Sequence, residues 1–308
     1  MPRNDAFTEA SVPDQSGRTA LVTGANTGIG FEAARVLAGR GARVLLGCRS
    51  ADKASAARNR IRAVHPKADV ELVSIDLGSL QSVRDAGEEV GNEQRLDLLI
   101  NNAGIMIPPR EETAEGFESQ FGVNHLGHFA LTGLLLPRLL ETPGSRIVNV
   151  SSGAHKMGKI DFEDWNAEKS YSRQGRYAMS KLANLLFTHE LQRRLSASGA
   201  ETIAVACHPG ISETELSRYM PDWLMMLAPL LRLIGQQPPE GALPTLRAAT
   251  DPNVAGGEYY GPSGLFELAG LPVRVEASAP SRDRQLARRL WDLSVEKTHV
   301  EPNLAPAA

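Results

Sequence analysis

Arg18-Thr-Ala-Leu-Val-Thr-Gly-Ala-Asn-Thr-Gly-Ile-Gly30 is the stretch that decides the fold. Arg18–Thr23 is a short apolar run of the kind that forms a buried strand. Gly24, Gly28 and Gly30 punctuate the turn that follows, and a helical pattern runs from Phe31 to Arg40. A strand, a glycine-rich turn and a helix N-terminus in succession make an anion site. The glycines let the backbone approach a pyrophosphate, and the helix's free N–H groups and dipole receive its charge. The spacing is T-G-x-x-x-G-x-G, not the G-x-G-x-x-G of the standard dinucleotide fingerprint. Alone, the turn also fits a tight strand-to-helix connection with no ligand.

The rest of the chain repeats the alternation. Strands are expected at Arg43–Cys48, Val70–Ile75, Leu96–Ile100, Arg146–Val150 and Thr202–Ala206. Helical patterns fall between them at Ala51–Val64, Ser79–Val90, around Gly116–Leu140, and from Tyr177 to about Leu195. Strands separated by helical crossovers form a parallel sheet covered on both faces. Right-handed crossovers then give an α/β, Rossmann-type doubly wound sheet of about seven strands, with ligands at the carboxyl ends near the switch point. The chemically suggestive residues all fall at such ends: Gly24–Gly30, Arg49, Asp76, Asn101–Gly104, Ser151-Ser152 and Pro209-Gly210. No internal repeat or linker is evident. A mobile arm over 1–16, one domain over 17–300 and a tail over 301–308 are therefore expected.

Composition narrows the function. Of 308 residues, 42% are hydrophobic and 22% charged, ordinary for a globular protein with a sizeable core. A net charge of −3 without a basic block argues against nucleic-acid binding. The two cysteines, Cys48 and Cys207, make no disulfide framework and read as buried small residues suited to a reducing compartment. No apolar run reaches membrane-spanning length, and Met1–Ser16 lacks the apolar segment of a signal peptide, so a cytoplasmic location is expected. His155 and His208 have no partner at metal-ligand spacing, and no metal is expected. Asp161-Phe-Glu-Asp164 reads as a surface insertion.

Tyr177-Ala-Met-Ser-Lys181 carries the chemistry. Residues four apart share a helix face, so the phenol and the ammonium point the same way. A free tyrosine titrates near ~10, and a fixed positive charge favours its phenolate and lowers that value. On a solvated helix the same pair would be two ordinary neighbours. Ser151 and Ser152 are alternatives for a reactive hydroxyl, and only one can serve, because adjacent residues of a strand point to opposite faces.

Taken together, Thr23–Gly30, Asn101-Asn-Ala-Gly104, Asn124, Ser152, Tyr177-x-x-x-Lys181 and Pro209-Gly210 with Thr214 resemble the classical short-chain dehydrogenase/reductase family. The likeness runs from about Arg18 to Gly210 and resumes near Glu258–Lys297. Ile147–His155, Tyr171-Ser-Arg and Ser180–Phe187 resemble the retinol dehydrogenase-like branch. The resemblance implies that Tyr177 is the general acid or base, and that Lys181 lowers its pKa and holds the nicotinamide ribose. Ser152 would bond the substrate oxygen, and Asn124 would steady a water leading from Lys181 to solvent. The cofactor would lie along Gly24, Asn26, Thr27, Gly28, Ile29, Gly30, Asp76, Leu77, Asn102, Ala103, Gly104, Tyr177, Lys181, Pro209, Gly210 and Thr214. Asp76 also fits a helix cap.

NAD-preferring members of this fold place an acidic residue at the end of the second strand. Here Cys48 and Arg49 occupy it. An arginine fork pairs with a 2′-phosphate, assisted by Lys53, so NADP(H) is the expected cofactor. The segment at about 211–240 is rich in Leu, Met and Trp and is broken by Pro221, Pro229, Pro238 and Pro239. Its Trp223–Ile234 stretch fits an apolar lid over a lipophilic aldehyde, ketone or alcohol, a core helix, or a face for a partner or membrane. Family habit suggests a homo-oligomer. A non-catalytic NADP(H)-binding sensor or scaffold and a sugar-nucleotide epimerase or dehydratase are the competing readings. The T-G-x-x-G-x-x-G spacing usual for the latter is absent.

Overall fold

The computed structural model describes residues 6–211 and 235–304. Thr214, Trp223–Ile234 and most of the expected lid lie outside the described residues. The strands are β1 (Thr19–Thr23), β2 (Arg43–Cys48), β3 (Val70–Ser74), β4 (Leu98–Asn101), β5 (Arg146–Val150), β6 (Ile203–Cys207), β7 (Tyr259–Pro262) and β8 (Pro272–Arg274). They form one sheet of eight strands in the order β3-β2-β1-β4-β5-β6-β7-β8. All neighbours pair in parallel except β7 with β8, whose register sets Gly261 against Val273. The order reverses between β1 and β4, which makes that junction the switch point.

Period-two alternation sends successive residues to opposite faces. Val22, Leu46, Ile100, Val148 and Val205 meet helices α1 (Gly28–Gly39), α2 (Ala51–Val64) and α7 (Pro238–Thr250). Leu21, Leu45, Leu99, Ile147 and Ala204 meet α3 (Leu80–Gly91), α5 (Gly127–Leu140) and α6 (Arg173–Ser198). A last helix, α8 (Arg284–Thr298), packs Trp291 on Phe129 and Phe187. α6 starts at a Ser172 side-chain cap and stops at Gly199, which takes the left-handed conformation at φ 75°.

Four expectations change. The described part of the expected arm, residues 6–16, is packed: Phe7 and Val12 are buried in the core, and Glu9 pairs with Arg35. Two apolar side chains within a polar segment suffice to hold it down. The helix expected around Gly116–Leu140 begins only at α4 (Ser119–Phe121), because Gly116 turns at φ 78° and the Glu118 carboxylate caps the N–H groups of Gln120 and Phe121. A π-helical turn over Gly122–Leu126 then joins α4 to α5. Asp76 does not cap α3. Ser79 does, accepting from Ser82 N, while Asp76 Oδ1 receives Gly78 N–H at 2.9 Å. Finally, Pro238 and Pro239 open α7 rather than breaking a lid, since proline suits a helix's first turn.

Candidate active site

Three backbones converge where β1 ends. Gly24 sits at φ 67° and donates to the Gly47 carbonyl at 2.7 Å. A Cβ on Gly24 would stand 3.0 Å from Ala103 Cα, and one on Gly30 only 2.6 Å from the Gly24 carbonyl oxygen. Glycine is required at both, and the floor of the turn is bare backbone. Ser50, Ser79 and Ser172 place side-chain oxygens on the first amides of α2, α3 and α6, whereas Thr27 makes no side-chain cap on α1. The leading amides of α1, at Gly28, Ile29 and Gly30, thus face the strand ends without a side-chain acceptor. These are the groups a pyrophosphate needs. Beneath the turn lies Cys48, whose thiol meets the Ala25 and Asn26 amides and is pushed up to about 11 by burial.

The turn is fastened to the β4 end through Thr23. Its Oγ1 accepts from the amides of Asn102 and Ala103 at 2.9 and 3.0 Å, and Asn102 Nδ2 donates to Thr23 O at 2.8 Å. Asn102 thus ties the β4 end to the β1 end. His128 extends the chain of bonds. Its Nδ1 lies 3.0 Å from the Asn124 carbonyl oxygen and must carry the proton, which leaves Nε2 to accept from Thr23 Oγ1 at 2.9 Å. Burial holds this ring neutral, with its pKa down to about 4. Asn124 Oδ1 accepts from Ile105 N at 2.8 Å, and its Nδ2 donates to Ile105 O and Ser180 Oγ. The Asn124 side chain is thus a brace, with Oδ1 beside Gly104 and the Lys181 ammonium on the same glycine. His128 was missed in the sequence, although its i+4 spacing from Asn124 within a helical pattern was a usable signal.

Ser152, Tyr177 and Lys181 come together at the ends of β5 and α6. Ser151 Oγ donates to the Lys181 carbonyl at 2.8 Å and is used up structurally. The Ser152 hydroxyl instead caps Ala154 N and is close enough to the Tyr177 phenol to favour loss of its proton. The Lys181 side chain is buried, donates to Val150 O at 3.2 Å and stands 5.7 Å from the centre of the Tyr177 ring. Its pKa is pushed down to about 8 by burial. The downward shift expected for Tyr177 does not occur in the protein alone. Burial raises its pKa, and the nearby Ser152 hydroxyl opposes that only in part. Desolvation acts on both groups and outweighs a lysine held by a carbonyl.

Arg49 is exposed at the β2 end, its Nη1 3.9 Å from Asp76 Oδ2, and Lys53 is exposed one helical turn along. Leu77 is buried against Gly127. Gly210 turns at φ 70°, and Pro209 O accepts from Gln236 Nε2 at 2.6 Å. Among the described residues no group of three His, Cys, Asp or Glu could hold a metal, and no helix is long and apolar enough to cross a membrane.

Sequence and structure comparisons agree with this geometry. A family model described as short chain dehydrogenase matches residues 18–224. Mouse retinol dehydrogenase 11 is 44% identical over 287 residues, covering 91% of this chain and 86% of that protein. Human retinol dehydrogenase 13 is 41% identical over 302 residues, covering 95% and 87%. A crystal structure of an uncharacterized protein from Mycobacterium Paratuberculosis is 41% identical and covers 97% of this chain and 99% of its own, with a TM-score of 0.82. The Pseudomonas aeruginosa RhlG/NADP active-site complex is 25% identical, covers 82% and 96%, and has a TM-score of 0.64. Glycine turn, strand-end rim, the Ser152–Tyr177–Lys181 cluster and these likenesses converge: the chain belongs to the short-chain dehydrogenase/reductase family, in its retinol dehydrogenase-like part.

Proposed function

We propose that the protein is an NADP(H)-dependent oxidoreductase that interconverts a lipophilic aldehyde or ketone with its alcohol. The observation that carries this reading is the meeting of Ser152, Tyr177 and the buried Lys181, whose Nζ is 5.7 Å from the Tyr177 ring centre, at the strand ends next to the uncapped α1. The residues fit a nicotinamide dinucleotide: free amides and bare glycine backbone for its pyrophosphate, Arg49 rather than a carboxylate at the β2 end, and Lys181 toward its ribose. Bound there, the nicotinamide supplies or accepts the hydride. Tyr177 keeps its proton at neutral pH because burial raises its pKa, so it is in the right state to protonate the oxygen of a carbonyl being reduced. Ser152 donates a second hydrogen bond to that oxygen as charge develops on it. Lys181 places positive charge 5.7 Å from the centre of the phenol ring, which favours the phenolate once the proton is passed on. A lipophilic substrate is supported by the retinol dehydrogenases among the relatives.

Titration with NADPH and NADH, followed by nicotinamide fluorescence at fixed salt, tests the cofactor. NADPH should bind at least about tenfold tighter, the worth of one charge-assisted contact. Tyr177→Phe then separates enzyme from nucleotide sensor. Turnover of a lipophilic aldehyde should fall about 10²–10⁴-fold while NADPH affinity holds. A variant that keeps its turnover would sink the role of Tyr177.

A further inference from the structure

Between β7 and β8 the chain makes a 3-10 turn, Leu265–Glu267, in which two successive bulky residues adopt the left-handed conformation, Phe266 at φ 53° and Glu267 at φ 59°. Non-glycine residues rarely occupy that region and remain there only when their surroundings hold them. Backbone bonds within the turn, such as Gly264 N–H to Ala269 O at 2.9 Å, hold its ends, and the Glu267 carboxylate ties it to the rest of the protein. Oε1 meets Lys156 Nζ at 3.0 Å, and Oε2 meets His208 Nε2 at 3.1 Å. Lys156 lies on the turn Gly153–Met157 that begins at Ser152, and His208 directly follows β6. His208 is fixed in turn. It is buried against the Tyr259 ring, and a Cβ on Gly261 would overlap its imidazole. Its Nδ1 accepts from Gly210 N–H at 3.3 Å, which leaves Nε2 as the donor to Glu267. Ile211 N donates to Leu268 O at 2.8 Å, so the same turn also holds the start of the segment after Gly210.

We infer that Glu267 is a positioning residue: it clamps the β7–β8 turn onto the Ser152 turn and the post-β6 loop, and so sets the affinity for the substrate without touching the reacting atoms. This rests on the proposed oxidoreductase function. One carboxylate joins three chain segments that meet beside Ser152. The turn it holds presents Leu265 and Phe266, 78% and 79% exposed, and the Gly153–Met157 turn that it grips carries Met157, also 78% exposed. These three and Ile211 are four of the six exposed large hydrophobic residues among the described residues. Apolar side chains gathered on segments stitched together next to the catalytic hydroxyl suit the hydrocarbon part of a lipophilic substrate.

The test compares wild type, Glu267→Gln, Lys156→Met and the double variant, using NADPH and a long-chain aldehyde. Glutamine offers one acceptor where two donors converge, so the clamp opens without loss of volume. KM should rise about tenfold in Glu267→Gln, with kcat within about twofold and NADPH affinity unchanged. The double variant should be no worse than Glu267→Gln, because Lys156 acts through the same carboxylate. Chymotrypsin should cut after Phe266 faster in Glu267→Gln, a readout independent of turnover. Unchanged KM and cleavage in an active background would overturn the clamp. So would parallel losses of kcat, NADPH affinity and melting temperature, which mark a merely structural residue. Faster cleavage in a chain whose wild type reduces no lipophilic carbonyl would instead overturn the oxidoreductase reading and leave the clamp intact.

Discussion

Lys181→Met should make the protein more stable and inactive at once. The ammonium is buried and titrates at about 8 instead of its ordinary 10.5. At about 1.4 kcal/mol per pH unit, holding it charged in the fold at neutral pH costs about 3 kcal/mol as an upper figure. The sign follows from proton counting. Below pH 8 both folded and unfolded chains carry the proton, and the cost is fully present. Between pH 8 and 10.5 the unfolded chain binds more protons than the folded one, so stability rises with pH. Methionine fills similar space without charge, and Val150 O keeps a partner because Asn184 Nδ2 also donates to it at 3.2 Å. The variant should therefore melt several degrees higher at pH 7, at roughly 2–4 °C per kcal/mol, with the gain shrinking to about 1 kcal/mol near pH ~9.5. Thermal melts followed by circular dichroism from pH 6.5 to 9.5 and kcat with NADPH would be measured together. A variant less stable than wild type at pH 7, or a gain that ignores pH, would refute the argument that burial of the charge dominates.

Two further outcomes follow from the cofactor cradle. Arg49→Ala should weaken NADPH binding about 10- to 100-fold and leave NADH binding unchanged; an unaltered NADPH-to-NADH preference in paired fluorescence titrations would remove Arg49 from the phosphate contact. Gly30→Ala places a Cβ 2.6 Å from Gly24 O and onto Asn102 Nδ2, so it should cost about 1–3 kcal/mol in urea melts and weaken NADPH binding at least tenfold. Gly91→Ala, at an α3 position open to solvent, is the control and should change neither.

The legible parts of the sequence were those where chemistry forces a residue type. Gly24 and Gly30 could be read because backbone contact permits nothing larger, and β1, β2 and β5 because strands covered on both faces must be apolar. β8 could not be read: three residues pairing antiparallel at the sheet edge leave too short a pattern, and the sheet has eight strands where about seven were expected. Strand alternation told that only one of Ser151 and Ser152 could face the site, and the family resemblance, not the alternation, chose Ser152. The chemistry that depends on distant neighbours stayed hidden. His128 matters because Thr23, 105 positions away, accepts and donates beside it, and Glu267 because its partners are 111 and 59 positions distant. The Tyr177 pKa went the other way because spacing reveals that a lysine is near and not how dry the phenol is.

The bare amide end of α1 also bears on the lifetime of the protein in a cell. A nucleotide that binds there and ignores the unfolded chain stabilises the fold by mass action, by about 2.7 kcal/mol at one hundred times its Kd. Quality-control proteases sample the unfolded fraction, and a difference of that size changes this fraction about a hundredfold. The amount of this protein is thereby tied to the nucleotide pool: chains made when the pool is full persist, and chains stranded without a ligand are cleared first.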